Sequence, residues 1–230
     1  MYVRAIALSA VTAILAGCAT HGASMSNVIP QDALWHAPAA AAVRGSIISL
    51  KRVTVITKKQ MSTGVVNGVV TQLTGPPKCN VTLYAVRYNT IGVKGEAADA
   101  SAAFMVPTKP CGTGPYPLVG YAHGTNIAKN QLITDPSTSN ASWTAPDQDP
   151  VTVAAIYSAH GYAVAATDYL GLGESTYPYH PYLHVASEAT AVIDAMRAIR
   201  LAAKQLHVAL RSGTGVFITG HSQGGQVAVG

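Results

Sequence analysis

The sequence predicts an α/β fold with a mostly parallel sheet and helices on its faces. After Pro117, short apolar strand segments alternate with helical ones, as strands buried on both faces of a parallel sheet require. The chain is also long enough, at 230 residues, and apolar enough, with 49% hydrophobic against 11% charged residues, to build a sizeable core. A disordered chain is excluded.

The first seventeen residues carry Arg4, an apolar run from Ala5 to Ala16 too short to span a bilayer, and a small-residue end. Residues 1–17 therefore read as an export signal. The block Leu15-Ala16-Gly17-Cys18 resembles the bacterial lipobox, in which the cysteine becomes the acylated first residue of the mature protein. A lipid anchor at Cys18 follows, with an ordinary signal peptide and an incidental cysteine as the other reading. Ala19 rather than Asp after that cysteine points to the outer membrane, with the periplasm or cell surface as the other destinations. Loss of Arg4 with the signal leaves 14 basic against 10 acidic residues, a net charge of +4 without a basic run, which excludes nucleic-acid binding. Export places Cys79 and Cys111 in an oxidising compartment, so these two are expected to pair, free thiols being the alternative.

Residues 18–45, rich in Ala, Ser, Pro and His, form a tether, and residues 46–230 form the folded body. The β-branched runs at Ile47 to Leu50 and Val53 to Thr57 predict strand. Alternation over residues 81–88 and the run at 100–106, joined by a connection with Gly92 and Gly95, predict an antiparallel hairpin at a sheet edge. Residues 118–122 read as a short strand, 151–160 as a helix closed by Gly161, and 162–167 as a buried strand. Over residues 184–206, Val192, Ile193, Met196, Ile199 and Leu206 share one side while Asp194, Arg197 and Lys204 share another, predicting a helix packed on the sheet. Residues 126–150 are either a flexible loop near the site or a surface excursion. A last strand spans residues 216–219.

That strand runs into Gly220-His221-Ser222-Gln223-Gly224-Gly225, a G-x-S-x-G pentapeptide followed by a segment able to start a helix. This is the setting of a nucleophile elbow, in which a sharp strand-to-helix turn lifts a serine toward substrate. A serine hydroxyl needs a base to become nucleophilic, and acyl transfer needs N–H donors aimed at the developing oxyanion. Gln223, after the nucleophile, supplies the first donor. The turn of Tyr121-Ala-His123-Gly124-Thr125 supplies the second, from Gly124 or Thr125, His123 being otherwise a polar group satisfied at a strand end.

Four blocks in order, Tyr121-Ala-His-Gly-Thr125, Gly161-Tyr-Ala-Val-Ala-Ala-Thr-Asp168-Tyr-Leu-Gly-Leu-Gly173, His180-Pro-Tyr-Leu183 and Gly220-His-Ser-Gln-Gly-Gly225, resemble the secretory lipase family of α/β-hydrolases. The resemblance runs from about Lys51 to the C-terminus. It implies an α/β-hydrolase fold, hydrolysis of carboxylic esters of lipids or other acyl groups through an acyl-enzyme on Ser222, and no cofactor. In that fold the acid and histidine of the triad follow the serine, yet the eight residues after Ser222 contain no Asp, Glu or His. The sequence accordingly reads as an N-terminal portion truncated after the elbow, with the base and acid expected beyond residue 230.

Asp168, Glu174, His180 and His184 could in principle be borrowed, but the family uses the Asp168 block as a turn beside the pocket, and His221 should diverge from the Ser222 hydroxyl. His180 and His184 lack a third metal ligand, and no metal is expected. Two further readings stand beside the ester hydrolase: a catalytically incomplete lipoprotein fragment, and a peptidase or acyltransferase relative.

Overall fold

The computed structural model describes residues 42–63, 65–138, 150–213 and 215–230. The signal, Cys18 and nearly all of the tether lie outside the described residues, as do residues 139–149 of the long loop. Residues 44 and 45 already belong to the folded body, because the Gly45 N–H donates to Asn89 O at 2.7 Å and Arg44 pairs with Asp194 at 2.9 Å.

Six strands form one sheet: β1 (Ile47–Ile56), β2 (Val81–Ile91), β3 (Ala97–Pro107), β4 (Leu118–Ala122), β5 (Ala163–Thr167) and β6 (Val216–Gly220), in spatial order β1-β2-β3-β5-β4-β6. The parallel character predicted for the second half of the chain holds, since β4 pairs parallel with both β5 and β6. The β2–β3 hairpin pairs in continuous antiparallel register from Val81↔Pro107 to Ile91↔Ala97. It is not at the sheet edge, as the sequence suggested: β1 lies antiparallel along β2 and covers it. Alternation along β2 reports one face buried more deeply than the other and is silent about which neighbour occupies its flank.

Between β1 and β2 run two helices the sequence reading did not include, α1 (Lys58–Ser62) and α2 (Val65–Thr74). Thr57 and Gln60 close a capping box at the start of α1, each side chain satisfying a backbone N–H of the other. Beyond β4 come α3 (Pro150–Ile156) and a one-turn 3-10 segment ended by Gly161 in the left-handed region, then β5 and the long α4 (Val185–Gln205).

The sheet is filled on both faces by alternate side chains of the same strands. Ala102 and Phe104 of β3, with Leu118 and Ala122 of β4, pack against Val192, Ala195 and Ile199 of α4, whereas Ala103 and Met105, with Val119 and Tyr121, pack against Met61 of α1 and Val153 of α3. Two assignments on α4 are corrected. Ile193 is exposed, and Asp194, expected on the polar side, is fully buried. It accepts from Thr90 Oγ1 at 2.8 Å and Arg44 Nε at 2.9 Å, both distant in sequence, and from Arg197 Nη1 at 2.7 Å one helical turn on, and together these compensate its burial. A disulfide joins Cys79, just before β2, to Cys111, after β3, with Cα atoms 5.7 Å apart.

The connection from β4 through α3 leads to β5 on one side, and the connection from β5 through α4 returns over β4 to β6 on the other. In open α/β sheets the crevice at such a reversal, outside the carboxyl ends of the strands, is where ligands bind. The residues that follow β4, β5 and β6 here are His123, Asp168 and the Ser222 turn.

Candidate functional site

Ser222 sits between β6 and α5 (Gln223–Val227) with φ 53° and ψ −117°, a conformation that costs a side-chain-bearing residue free energy and that glycine tolerates. Its hydroxyl is exposed and makes no capping bond to α5. The Gly224 and Gly225 N–H groups turn back onto the carbonyls of His221 and Ser222, at 2.8 and 2.9 Å. Among the described residues nothing accepts from the Gln223 N–H, which is left as an open donor one residue from the hydroxyl.

The turn is pressed against the end of β4. Ala122 and Gly220 are register partners, and the His221 N–H donates to Ala122 O at 3.2 Å. A Cβ on Gly224 would be driven into the Ala122 carbonyl and would come within 2.8 Å of His123 O, so only glycine lets α5 approach this closely. The structure thus brings Ser222 and Gln223 beside the His123-Gly124-Thr125 turn. His123 is buried, its Nδ1 lies 2.7 Å from Gly124 O, and its ring stands 4.5 Å from that of Tyr169, whose hydroxyl donates to His123 O at 2.9 Å. Thr125 Oγ1 meets the Tyr182 hydroxyl at 3.2 Å.

Asp168, at the end of β5, is held in the interior. Ser101 Oγ donates to its Oδ2 at 2.6 Å and the Ile133 N–H to its Oδ1 at 2.9 Å, so the carboxylate ties the described part of the long loop to the sheet. Burial pushes its carboxyl up to about 7 against the hydrogen bonds that favour the charge. Glycine is demanded at 173, with φ 58°, because a Cβ there would strike Ser101 Oγ and the Asp168 side chain. The Asp-Tyr-x-Gly-x-Gly block is a packed turn.

His180 and His184 point to different partners. His184 caps α4, accepting from the Ser187 N–H, while His180 Nδ1 lies 3.0 Å from Leu170 O and must donate to it. The neutral tautomer this requires leaves Nε2 as an acceptor, and the Gln223 side-chain amide reaches it at 3.1 Å. The same amide donates to Glu188 Oε1 at 2.5 Å, which also accepts the Leu183 N–H at 3.0 Å. Burial holds the His180 pKa below, and the Glu188 pKa above, their ordinary values. The sequence reading missed this trio. Its signal was available: Glu188 lies one helical turn before Val192, a carboxylate on the apolar stripe of α4.

No protein-family model and no curated protein matches the chain. Among solved structures, the rice cell wall degrading esterase LipA of Xanthomonas oryzae is similar at 39% identity over 80% of this chain and 44% of that one, with a TM-score of 0.62. A ligand-bound form of LipA is similar at 39% identity over 79% and 43%, with a TM-score of 0.60. A Legionella pneumophila protein shares the fold at 22% identity and a TM-score of 0.63, over 79% and 45%. The chain has the α/β-hydrolase fold, and it spans less than half the length of these structures.

Proposed function

We propose that this chain carries the nucleophile and oxyanion donors of a serine hydrolase acting on carboxylic esters. The observation that carries the reading is Ser222 in its strained turn with the Gln223 N–H open beside it, against the end of β4. Likeness to an esterase at 39% identity supports it.

The Ser222 hydroxyl gives its proton to a general base as it attacks the ester carbonyl, the negative charge that develops on the carbonyl oxygen is taken by the N–H of Gln223 and by the Gly124-Thr125 turn, and the base returns the proton to the departing alkoxide. Collapse expels the alcohol and leaves an acyl group on Ser222, which water then removes. His123, His180 and His184 are each engaged with other groups, so the general base is assigned to none of them. The substrate is an acyl ester or lipid, and no cofactor enters the chemistry.

Export and acylation at Cys18 belong to the same proposal, with an outer-membrane, periplasmic or cell-surface location. Among the described residues no helix is long and apolar enough to cross a membrane.

A fluorophosphonate probe and a short-chain nitrophenyl ester test the chemistry. Labelling and turnover that vanish in Ser222→Ala are expected; a folded protein that shows neither favours the non-catalytic reading and sinks this one. Fatty-acid labelling that persists in Cys18→Ser would remove the anchor.

A further inference from the structure

The Gln223 side chain is placed where its backbone matters most. Residues 224 and 225 are glycines, so for three consecutive positions after a strained serine Gln223 offers the first and only side chain by which the start of α5 can be tethered sideways. The Gly225 N–H holds the carbonyl end of the 222–223 peptide through Ser222 O at 2.9 Å, and with two glycines following, the Gln223 side chain is the restraint available at its N–H end.

We infer that Glu188 and His180 are positioning residues that clamp the Gln223 side chain and so aim its backbone N–H at the oxyanion. The inference rests on the ester-hydrolase reading.

Both protons of the Gln223 amide are used, one on Glu188 Oε1 at 2.5 Å and one on His180 Nε2 at 3.1 Å, across 35 and 43 residues of chain. Each acceptor is itself fixed from behind. Glu188 Oε1 also takes the Leu183 N–H, and His180 Nδ1 donates to Leu170 O, which leaves the ring no freedom to exchange its acceptor nitrogen. Two N–H donors in fixed directions determine the plane of the amide as well as its position.

A purely structural account fits poorly. Glu188 occupies the apolar stripe of α4 at 1% exposure, and Gln223 is 4% exposed, where an aliphatic pair of similar size would pack without burying a carboxylate. Among the described residues no Lys or Arg pairs with Glu188, and His180 Nε2, 3.9 Å away, is already committed as an acceptor. What the polar trio adds is direction.

The same segment also reaches the other donor. Tyr169 bonds His123 O, and Tyr182, whose ring stands 6.2 Å from that of His180, bonds Thr125. One stretch between β5 and α4 therefore sets both arms of the oxyanion site relative to each other.

Steady-state turnover of a short-chain nitrophenyl ester, with active sites counted by fluorophosphonate titration and folding followed by circular dichroism, tests this on the full chain. Gln223→Leu keeps the backbone donor and removes the clamp; Glu188→Ala removes one acceptor; Glu188→Gln keeps a carbonyl oxygen there. Gln223→Leu and Glu188→Ala should lower kcat per titrated site by about 10- to 100-fold with KM changed less than about threefold, since an ångström of misplacement costs on that order. Glu188→Gln should recover most of the loss. An unchanged kcat per site in Gln223→Leu, or Glu188→Gln as impaired as Glu188→Ala, overturns the clamp. Should Gln223→Leu fail to fold, the two Glu188 variants decide. Wild-type protein without Ser222-dependent turnover overturns the ester-hydrolase reading instead, and the oxyanion role with it.

Discussion

Ser222→Gly and Ser222→Ala both abolish the nucleophile, yet they should differ in stability in a direction opposite to ordinary expectation. At φ 53° and ψ −117° the Cβ of residue 222 is crowded by its own backbone, and strain of this kind costs about 1–3 kcal/mol. Alanine keeps the Cβ and the strain; glycine removes both. Glycine also frees the unfolded chain, which offsets about 0.5–1 kcal/mol of the gain. The hydroxyl is exposed and caps nothing, so its loss is common to the two variants and small. The balance leaves Ser222→Gly more stable than Ser222→Ala by about 1–2 kcal/mol, a rise in Tm of about 4 °C for a folded unit of this size. Thermal unfolding by circular dichroism at one pH measures it directly. If the alanine variant melts at the same temperature or higher, the turn is not strained as described, and the placement of the hydroxyl loses its structural basis.

Three further outcomes follow from the same geometry. Gly224→Ala should reduce fluorophosphonate labelling of Ser222 by about 100-fold, because the new Cβ pushes α5 off the Ala122 carbonyl; wild-type labelling rates would show that the contact is not limiting. Asp168 has its carboxyl raised from 3.8 to about 7 by burial, so the folded state holds the proton more tightly than the unfolded one. Its stabilising contribution is complete below about pH 4 and is lost as pH rises to about 7, a change on the order of 4 kcal/mol. Asp168→Asn, which keeps an acceptor for the Ile133 N–H, should flatten the fall in Tm across that range, and parallel melting curves for the two proteins would contradict it. The Cys79–Cys111 bridge closes a loop of 32 residues, worth about 3–4 kcal/mol by chain entropy. Reductant should lower Tm by about 10 °C in calorimetry, and an unmoved transition refutes the loop-closure argument.

What the sequence could and could not convey divides along physical lines. Strand β4 and helix α4 were legible almost to the residue, because Pro117 punctuates one and a long amphipathic period marks the other. Helix α2 was not. Its Val-Val-Asn-Gly-Val-Val run combines β-branched residues with a glycine, which local preference reads as anything but helix, and contact with the α1 and α3 side of the sheet overrides that preference. The position of β1 depends on pairing, which alternation does not encode. Asp194 was misassigned for a related reason: a helical wheel gives its angle but not the existence of Thr90 and Arg44 opposite. The candidate site was legible where one short segment carries its own geometry, as at Ser222 and the glycines around it. Contacts between Gln223, Glu188 and His180 arise only when α4 and α5 pack, so no window of sequence contains them.

That division bears on how the site works. A serine in the left-handed region persists only if its surroundings leave it no alternative, and the surroundings here come from three separate stretches of chain. The Ala122 carbonyl receives the His221 N–H and stops Gly224 from moving closer to β4, the β4–β6 register fixes the height of the turn, and the Gln223 amide is pinned by Glu188 and His180. The first two restrain the turn along the sheet; the third, together with the Gly225 N–H bond to Ser222 O, restrains rotation about it. Loss of either sheet contact should therefore weaken folding and chemistry together. Loss of the side-chain clamp should leave the fold standing with its oxyanion donor misdirected, which is why kcat per titrated site and Tm are expected to separate at Glu188 and not at Gly224.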